Sequence, residues 1–164
     1  GDVALLRKFL PDRVTVVDQK TVADIPARAT LIRQLLAGAD LAGAAALLGR
    51  PYAVRGHCCP GDGIGKAIGS PTLNLEPAPT AIPDGIYAVR TGLGLAAVHL
   101  GPRPTLDRTE RRFEVHLLDA PPPDGVDALE VSFLEKLREI KRFDSRDELR
   151  AAIAEDVAKT RTFA

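Results

Sequence analysis

The chain has 164 residues, which at roughly 100–200 residues per domain means one main domain with room for a small appendage. Lys plus Arg number 22 and Asp plus Glu number 22, so the net charge is 0; that balance excludes the basic field of a nucleic-acid binder and a polybasic membrane patch. Hydrophobic content of 45% with 27% charged residues excludes a disordered chain, and no apolar run approaches the roughly 18 residues of a membrane span.

The two cysteines, Cys58 and Cys59, are adjacent, and neighbours are not bridged without strain. Neither a disulfide scaffold nor a zinc site is expected from them. There is no Met and no charged-then-apolar leader. The numbering is therefore expected to start inside a longer or processed chain, and the domain to be cytoplasmic.

In chain order, Arg13–Asp18 alternates like a short strand. Leu31, Ile32, Leu35 and Leu36 fall at helical spacing and stop near Gly38. Asp40 is suited to cap a second short helix carrying Leu41, Ala44, Ala45, Leu47 and Leu48, with Gly49 as its stop. This makes a small α/β fragment over residues 1–48, too short to hold a core of its own.

From Gly49 the texture changes to strand-like runs: Tyr52–Cys59, Gly85–Thr91, Leu95–Leu100, Phe113–Leu118 and Ala128–Phe133. Gly- and Pro-rich breakers separate them, which suggests a compact antiparallel barrel or sandwich over residues 49–164. Ser145 and Glu148 form a capping box before a closing helix whose apolar stripe is Leu149, Ile153 and Val157.

Three segments carry candidate chemistry. Gly61, Gly63, Gly65 and Gly69 let the backbone turn tightly and aim N–H groups at an anion, although the spacing matches neither a Walker A loop nor a dinucleotide fingerprint. A plain hairpin connection would look the same. Just after it, Thr72 and Asn74 (the only Asn in the chain) place two neutral oxygens on one side of an extended segment, a set that suits Mg²⁺ beside a nucleotide. An ordinary turn is the plainer reading.

In the second segment, Phe113–Leu117, alternation sends Phe113, Val115 and Leu117 to the core and Glu114 and His116 to the opposite face. Glu114 is placed to act as a general base, with His116 tuning it; a solvated strand face is the bland alternative. The third, Leu100–Thr105, is a rigid loop presenting the guanidinium of Arg103, and in isolation it reads as a surface turn.

Taken in order, GRPYAVRG (49–56), G-x-G-x-G-K-x-x-G-x-P-T-x-N (61–74), DGIYAVR (84–90), LGPRPT (100–105), FEVHLLD (113–119) and FLEKLREIKRFDSRDEL (133–149) resemble the riboflavin kinases. The chain is most similar to the C-terminal half of the bacterial bifunctional riboflavin kinase/FAD synthetases, from Leu31 onward. That resemblance implies a mainly β fold, a six-stranded Greek-key barrel with a C-terminal helix, preceded by the short α/β remnant. It implies ATP- and Mg²⁺-dependent phosphorylation of the riboflavin 5′-hydroxyl to give FMN. By the same likeness Gly61, Gly63, Gly65, Lys66, Gly69, Pro71 and Thr72 would hold the nucleotide, Thr72 and Asn74 the metal, and Glu114 the ribityl proton. Arg138, Lys141 and Phe143 would close over the flavin.

The expected partners are riboflavin and ATP, with no nucleic acid and no membrane. Residues 1–48 resemble the tail of an adenylyltransferase domain to which such a kinase is fused or from which it derives. The family's S-S-T-x-I-R stretch has become Arg28–Arg33 without either serine, and an H-x-G-H element is absent from the sequence. FAD synthesis is therefore not expected from this chain alone. Within the kinase half the family usually has Asn at His99, Phe at Ser70 and Glu at Ile140. These departures bear on flavin affinity or identity more than on phosphoryl transfer. They leave a second reading open, a catalytically weak flavin- or nucleotide-binding regulatory module on the same barrel.

Overall fold

The computed structural model describes residues 2–61, 71–76, 80–103 and 108–164. Helix α1 (Val3–Phe9) starts at the Asp2 cap. A two-stranded ribbon, β1 (Thr21–Val22) and β2 (Ile25–Pro26), follows. The strand expected at Arg13–Asp18 does not form. Those residues have no pairing partner, and Val17 is 84% exposed; alternation and β-branching do not make a strand where no neighbour accepts the hydrogen bonds.

Helix α2 (Ala29–Ala37) ends at Gly38, and α3 (Leu41–Leu48) begins at Asp40, whose side chain accepts from the Gly43 N–H at 2.8 Å. Gly49 then takes the left-handed conformation (φ 73°) that ends α3 without a steric cost. Leu36, Leu41 and Ala44 of this helical pair belong to the same buried cluster as the strands beyond it.

Six strands close on themselves: β3 (Tyr52–Cys59), β4 (Leu73–Leu75), β5 (Gly85–Thr91), β6 (Gly94–Arg103), β7 (Arg108–Leu117) and β8 (Ala128–Arg138). Around the barrel the order is β3-β4-β7-β6-β5-β8, with every neighbouring pair antiparallel. Strands β5, β6 and β7 are a meander, and β8 returns beside β5, which is the Greek-key arrangement. Alternation fills the interior with Leu75, Val89, Val98, Phe113, Val115, Val131 and Phe133. Phe133 lies near the middle, with ring centroids of Tyr87 at 5.4 Å, Tyr52 at 5.9 Å and Phe113 at 6.1 Å. Burial raises the Tyr87 hydroxyl pKa far above its ordinary range, and that hydroxyl donates to the Pro83 carbonyl at 2.6 Å.

Helix α4 (Arg146–Arg161) follows the Ser145 cap, which accepts from the Glu148 N–H at 3.2 Å. Glu148 accepts in turn from the Asp144 N–H rather than from Ser145. The stripe of Leu149, Ile153 and Val157 is only half-buried. The residues of α4 held deepest are polar, Asp156 and Thr160. Asp156 forms a bidentate pair with Arg138 at the end of β8, with Nη2 to Oδ2 at 2.7 Å and Nε to Oδ1 at 3.0 Å. Among the described residues no helix is long and apolar enough to cross a membrane.

Removing one member of a buried pair leaves the other charge uncompensated. Asp156→Ala should therefore destabilise the protein by about 3 kcal/mol, the lower end of the usual range because Arg138 keeps part of its side chain in water. Urea denaturation of the two proteins measures this. A loss below about 1 kcal/mol would mean that the pair does not anchor α4.

Candidate active site

Three cross-strand registers bring the candidate residues together. Asn74 on β4 lies opposite Cys59 on β3 and opposite Glu114 on β7, and Glu114 lies opposite His99 on β6. Since Leu75, Phe113, Val115, Val98 and Leu100 point into the barrel, alternation turns Asn74, Glu114 and His99 to its outer face in one row. Side chains so paired have Cβ atoms about 5 Å apart.

Asn74 faces outward yet is only 8% exposed, because the chain at Gly61 covers it. A Cβ on Gly61 would sit 2.0 Å from Asn74 Nδ2, so glycine is required here for close approach. Among the described residues Asn74 Oδ1 has no hydrogen-bond partner, although it is buried. A buried amide oxygen without a donor is costly unless a ligand completes it. Pro71 and Thr72 precede it, half-buried, and His116 Nδ1 donates to the Pro71 carbonyl at 3.0 Å. His116 thus fastens the Pro71–Thr72 segment to β7. It was expected to tune Glu114, but its ring is committed elsewhere.

Glu114 is held by Arg103. Arg103 Nε donates to Oε2 at 3.0 Å and Nη2 donates to Oε1, so the guanidinium spans both carboxylate oxygens. Arg103 is 8% exposed and closes β6; the expected surface turn is instead a buried ion pair. The backbone that delivers it is irregular. Gly101 has φ 134°, and the β6–β7 register shifts between Gly101 and Arg103. His99 Nε2 donates to the carbonyls of Gly101 (3.2 Å) and Pro102 (2.9 Å), holding the bulge in place. A Cβ on Gly101 would meet Ile140 Cδ1 at 2.5 Å, so the segment after β8 packs directly on this bulge.

Arg138, Lys141 and Phe143 form a group of their own. The Arg138 guanidinium carbon lies 5.5 Å and the Lys141 ammonium 5.0 Å from the Phe143 ring centroid, and Arg138 is also engaged with Asp156. Arg138 pairs with Ile86, which pairs with His99, so three strand steps (about 14 Å along the sheet) separate it from Glu114. The structure thus brings Gly61, Pro71, Thr72, Asn74 and Glu114 together and sets the other three apart. Ile140 links the two groups. Gly63, Gly65, Lys66 and Gly69 lie outside the described residues.

Sequence reasoning missed that Arg103 belongs to this group. The available signal was a glycine two residues before a charged strand end, which marks a bulge able to turn a side chain back across the sheet. Among the described residues no cluster of three or more His, Cys, Asp or Glu could hold a metal. A metal here would take neutral oxygens and complete its shell from a ligand, and the orphaned Asn74 oxygen beside Gly61 fits that demand.

Comparison with known proteins agrees with this architecture. The chain is 39% identical over 140 residues to the bifunctional riboflavin kinase/FMN adenylyltransferase of Escherichia coli K12, covering 82% of this chain and 45% of that protein. It is 32% identical over 174 residues to the protein of the same description from Listeria monocytogenes, covering 99% of this chain and 55% of that one. The chain thus spans about half the length of these relatives. A solved structure titled as a macrolide-efflux protein from Streptococcus pneumoniae superposes with a TM-score of 0.77 at 30% identity, over 97% of this chain and 54% of that one. The riboflavin kinase (Flavokinase) profile matches residues 48–164, most of the chain, and the chain belongs to that family.

Proposed function

We propose that this chain transfers the γ-phosphate of ATP to the 5′-hydroxyl of riboflavin, giving FMN and ADP. The observation that carries this reading is the buried oxygen of Asn74, without a partner among the described residues, seated between Gly61 and Glu114 in a riboflavin kinase barrel. Phosphoryl transfer asks a protein mainly for positioning and charge neutralisation. Gly61, with Gly63, Gly65, Lys66 and Gly69, is assigned to the nucleotide phosphates, and Pro71 and Thr72 to the edge of the same site. Thr72 and Asn74 are assigned to Mg²⁺, which when bound neutralises charge on the phosphates. The riboflavin oxygen attacks the γ-phosphorus, the bond to the β–γ bridging oxygen breaks, and ADP leaves with that electron pair. Glu114 takes the hydroxyl proton.

Arg138, Lys141 and Phe143 are assigned to the flavin side. For them to close on the acceptor, the segment after β8 has to move relative to the Glu114 row, and its contact through Ile140 with Gly101 is where that movement would be felt. Residues 1–48 are read as the tail of an adenylyltransferase half, and no residue of this chain is assigned to FAD formation. Arg103, by occupying both oxygens of Glu114, favours a binding module without turnover, as do the departures at Ser70, His99 and Ile140. An assay for FMN separates the two readings.

Purified protein with riboflavin, ATP and Mg²⁺ should form FMN, resolved by chromatography. Binding of flavin without any FMN would select the module. Glu114→Gln should lower turnover about 100-fold or more with the fold intact; an unchanged rate would remove Glu114 from proton transfer. Asn74→Ala should raise the Mg²⁺ concentration needed for half-maximal rate, and superimposable Mg²⁺ titrations would exclude it as a ligand. Gly61→Ala should act on the same titration, because the added methyl displaces the Asn74 amide. A Gly61→Ala protein with wild-type Mg²⁺ dependence would show that the close approach has no functional role.

A further inference from the structure

We propose that Arg103 is a hand-over group, which holds both oxygens of Glu114 before nucleotide binds and exchanges them for the phosphates of a nucleoside triphosphate. The exchange frees Glu114 to face the acceptor hydroxyl. This inference rests on the kinase reading for the identity of the anion, and on the geometry of the pair for the device itself.

The guanidinium approaches Glu114 side-on, with Nε on one oxygen and Nη2 on the other. That fork matches a phosphate as well as it matches a carboxylate. A carboxylate so engaged gives one lone pair of each oxygen to the guanidinium and has its charge neutralised by it, which makes it a weaker base toward an incoming hydroxyl. The pair is also largely out of water, with Arg103 and Glu114 side chains 9% and 18% exposed. A desolvated cation leaves such a partner only for another anion, because an uncompensated buried charge is costly. A triphosphate qualifies and a neutral isoalloxazine does not.

Position and backbone support the exchange. Glu114 lies one register step from Asn74, against which Gly61 packs, so the edge of the assigned phosphate site is about 5 Å away across the sheet. The main chain behind Arg103 is fixed by the two hydrogen bonds from His99 to Gly101 and Pro102, and by Ile140 on Gly101. In the exchange the side chain moves and its root stays put. His99 and Ile140 are positioning residues in this scheme.

Calorimetric titration with Mg·ATP, without flavin, tests the exchange on the full chain as wild type, Glu114→Gln, Arg103→Met and the double variant. Glu114→Gln weakens the competing contact, so it should bind Mg·ATP at least about fivefold more tightly than wild type. Arg103→Met should bind more weakly, and in its background Glu114→Gln should change nothing. Relief of charge repulsion alone would also tighten Glu114→Gln, but that gain would persist with Arg103→Met. Persistence, or no tightening at all, overturns the proposal.

Should Arg103→Met fail to fold, the wild-type Arg103 Nε–H resonance, assigned by its loss in Arg103→Lys, replaces the cycle. It should move upfield when Mg·ATP saturates the protein and stay in place with riboflavin alone. A resonance unmoved by Mg·ATP overturns the exchange. FMN formation without coupling in the cycle removes the hand-over alone. Coupling without FMN removes the kinase reading alone, and a wild type that does not bind Mg·ATP removes both.

Discussion

The barrel is closed by a strand of three residues. Asn74 and Leu75 pair with β3 on one side, all three of its residues Leu73–Leu75 pair with β7 on the other, and without them neither edge has a neighbour. Their register decides more than closure. Because strand side chains alternate, a slip of one residue would turn Asn74 into the core and two leucines outward. Leu75, buried against the interior, makes that slip unfavourable, and so the same apolar contact that completes the core places the Asn74 amide beside Glu114. Site geometry here follows from core packing, through the pleat of one short strand.

Charge is handled in the same economical way. With 22 basic and 22 acidic residues the chain has no net field, so its effective electrostatics are local. Two side-on arginine–carboxylate pairs dominate among the described residues. Arg138 with Asp156 joins the end of β8 to α4, and Arg103 with Glu114 joins the end of β6 to the middle of β7. Both tie elements that follow one another in the chain, and both are shielded enough that losing either partner costs more than a surface pair would. They differ in surroundings. Arg138 also lies over the Phe143 ring, whereas Arg103 roots in a glycine bulge at the end of β6.

Most of the barrel was legible in the sequence because its strands alternate and its breakers are Gly and Pro. Tyr52–Cys59 and Gly85–Thr91 match the observed strands residue for residue, and the caps at Asp40, Gly49 and Ser145 sit where their chemistry requires. Strand β6 runs past its apolar alternation at both ends, β7 starts five residues earlier and ends one earlier, and β8 runs five residues further to Arg138, because pairing with β5 carries the ladder past the hydrophobic pattern; β4, of three residues, was not among the expected runs. Arg13–Asp18 shows the converse, a strand-like pattern with nothing to pair against. Within the site, Asn74 and Glu114 could be singled out by residue type, but their adjacency depends on register between strands some forty residues apart in sequence. The role of Arg103 was hidden for the same reason, and that of Asp156 because a carboxylate in a helix pattern reads as solvent-facing until its partner is placed.

Gly101 shows how the two halves of the site are made interdependent. At φ 134° the backbone favours glycine, and the space a side chain would occupy is already filled by Ile140 and Asp84. The bulge therefore has one conformation, gripped by His99 from β6 itself and by Ile140 from the segment after β8. Through Gly101 that segment touches the root of Arg103, and Arg103 in turn grips the carboxylate of Glu114. A glycine with no side chain thus becomes the point at which the segment beside Phe143 and the carboxylate row on β7 meet.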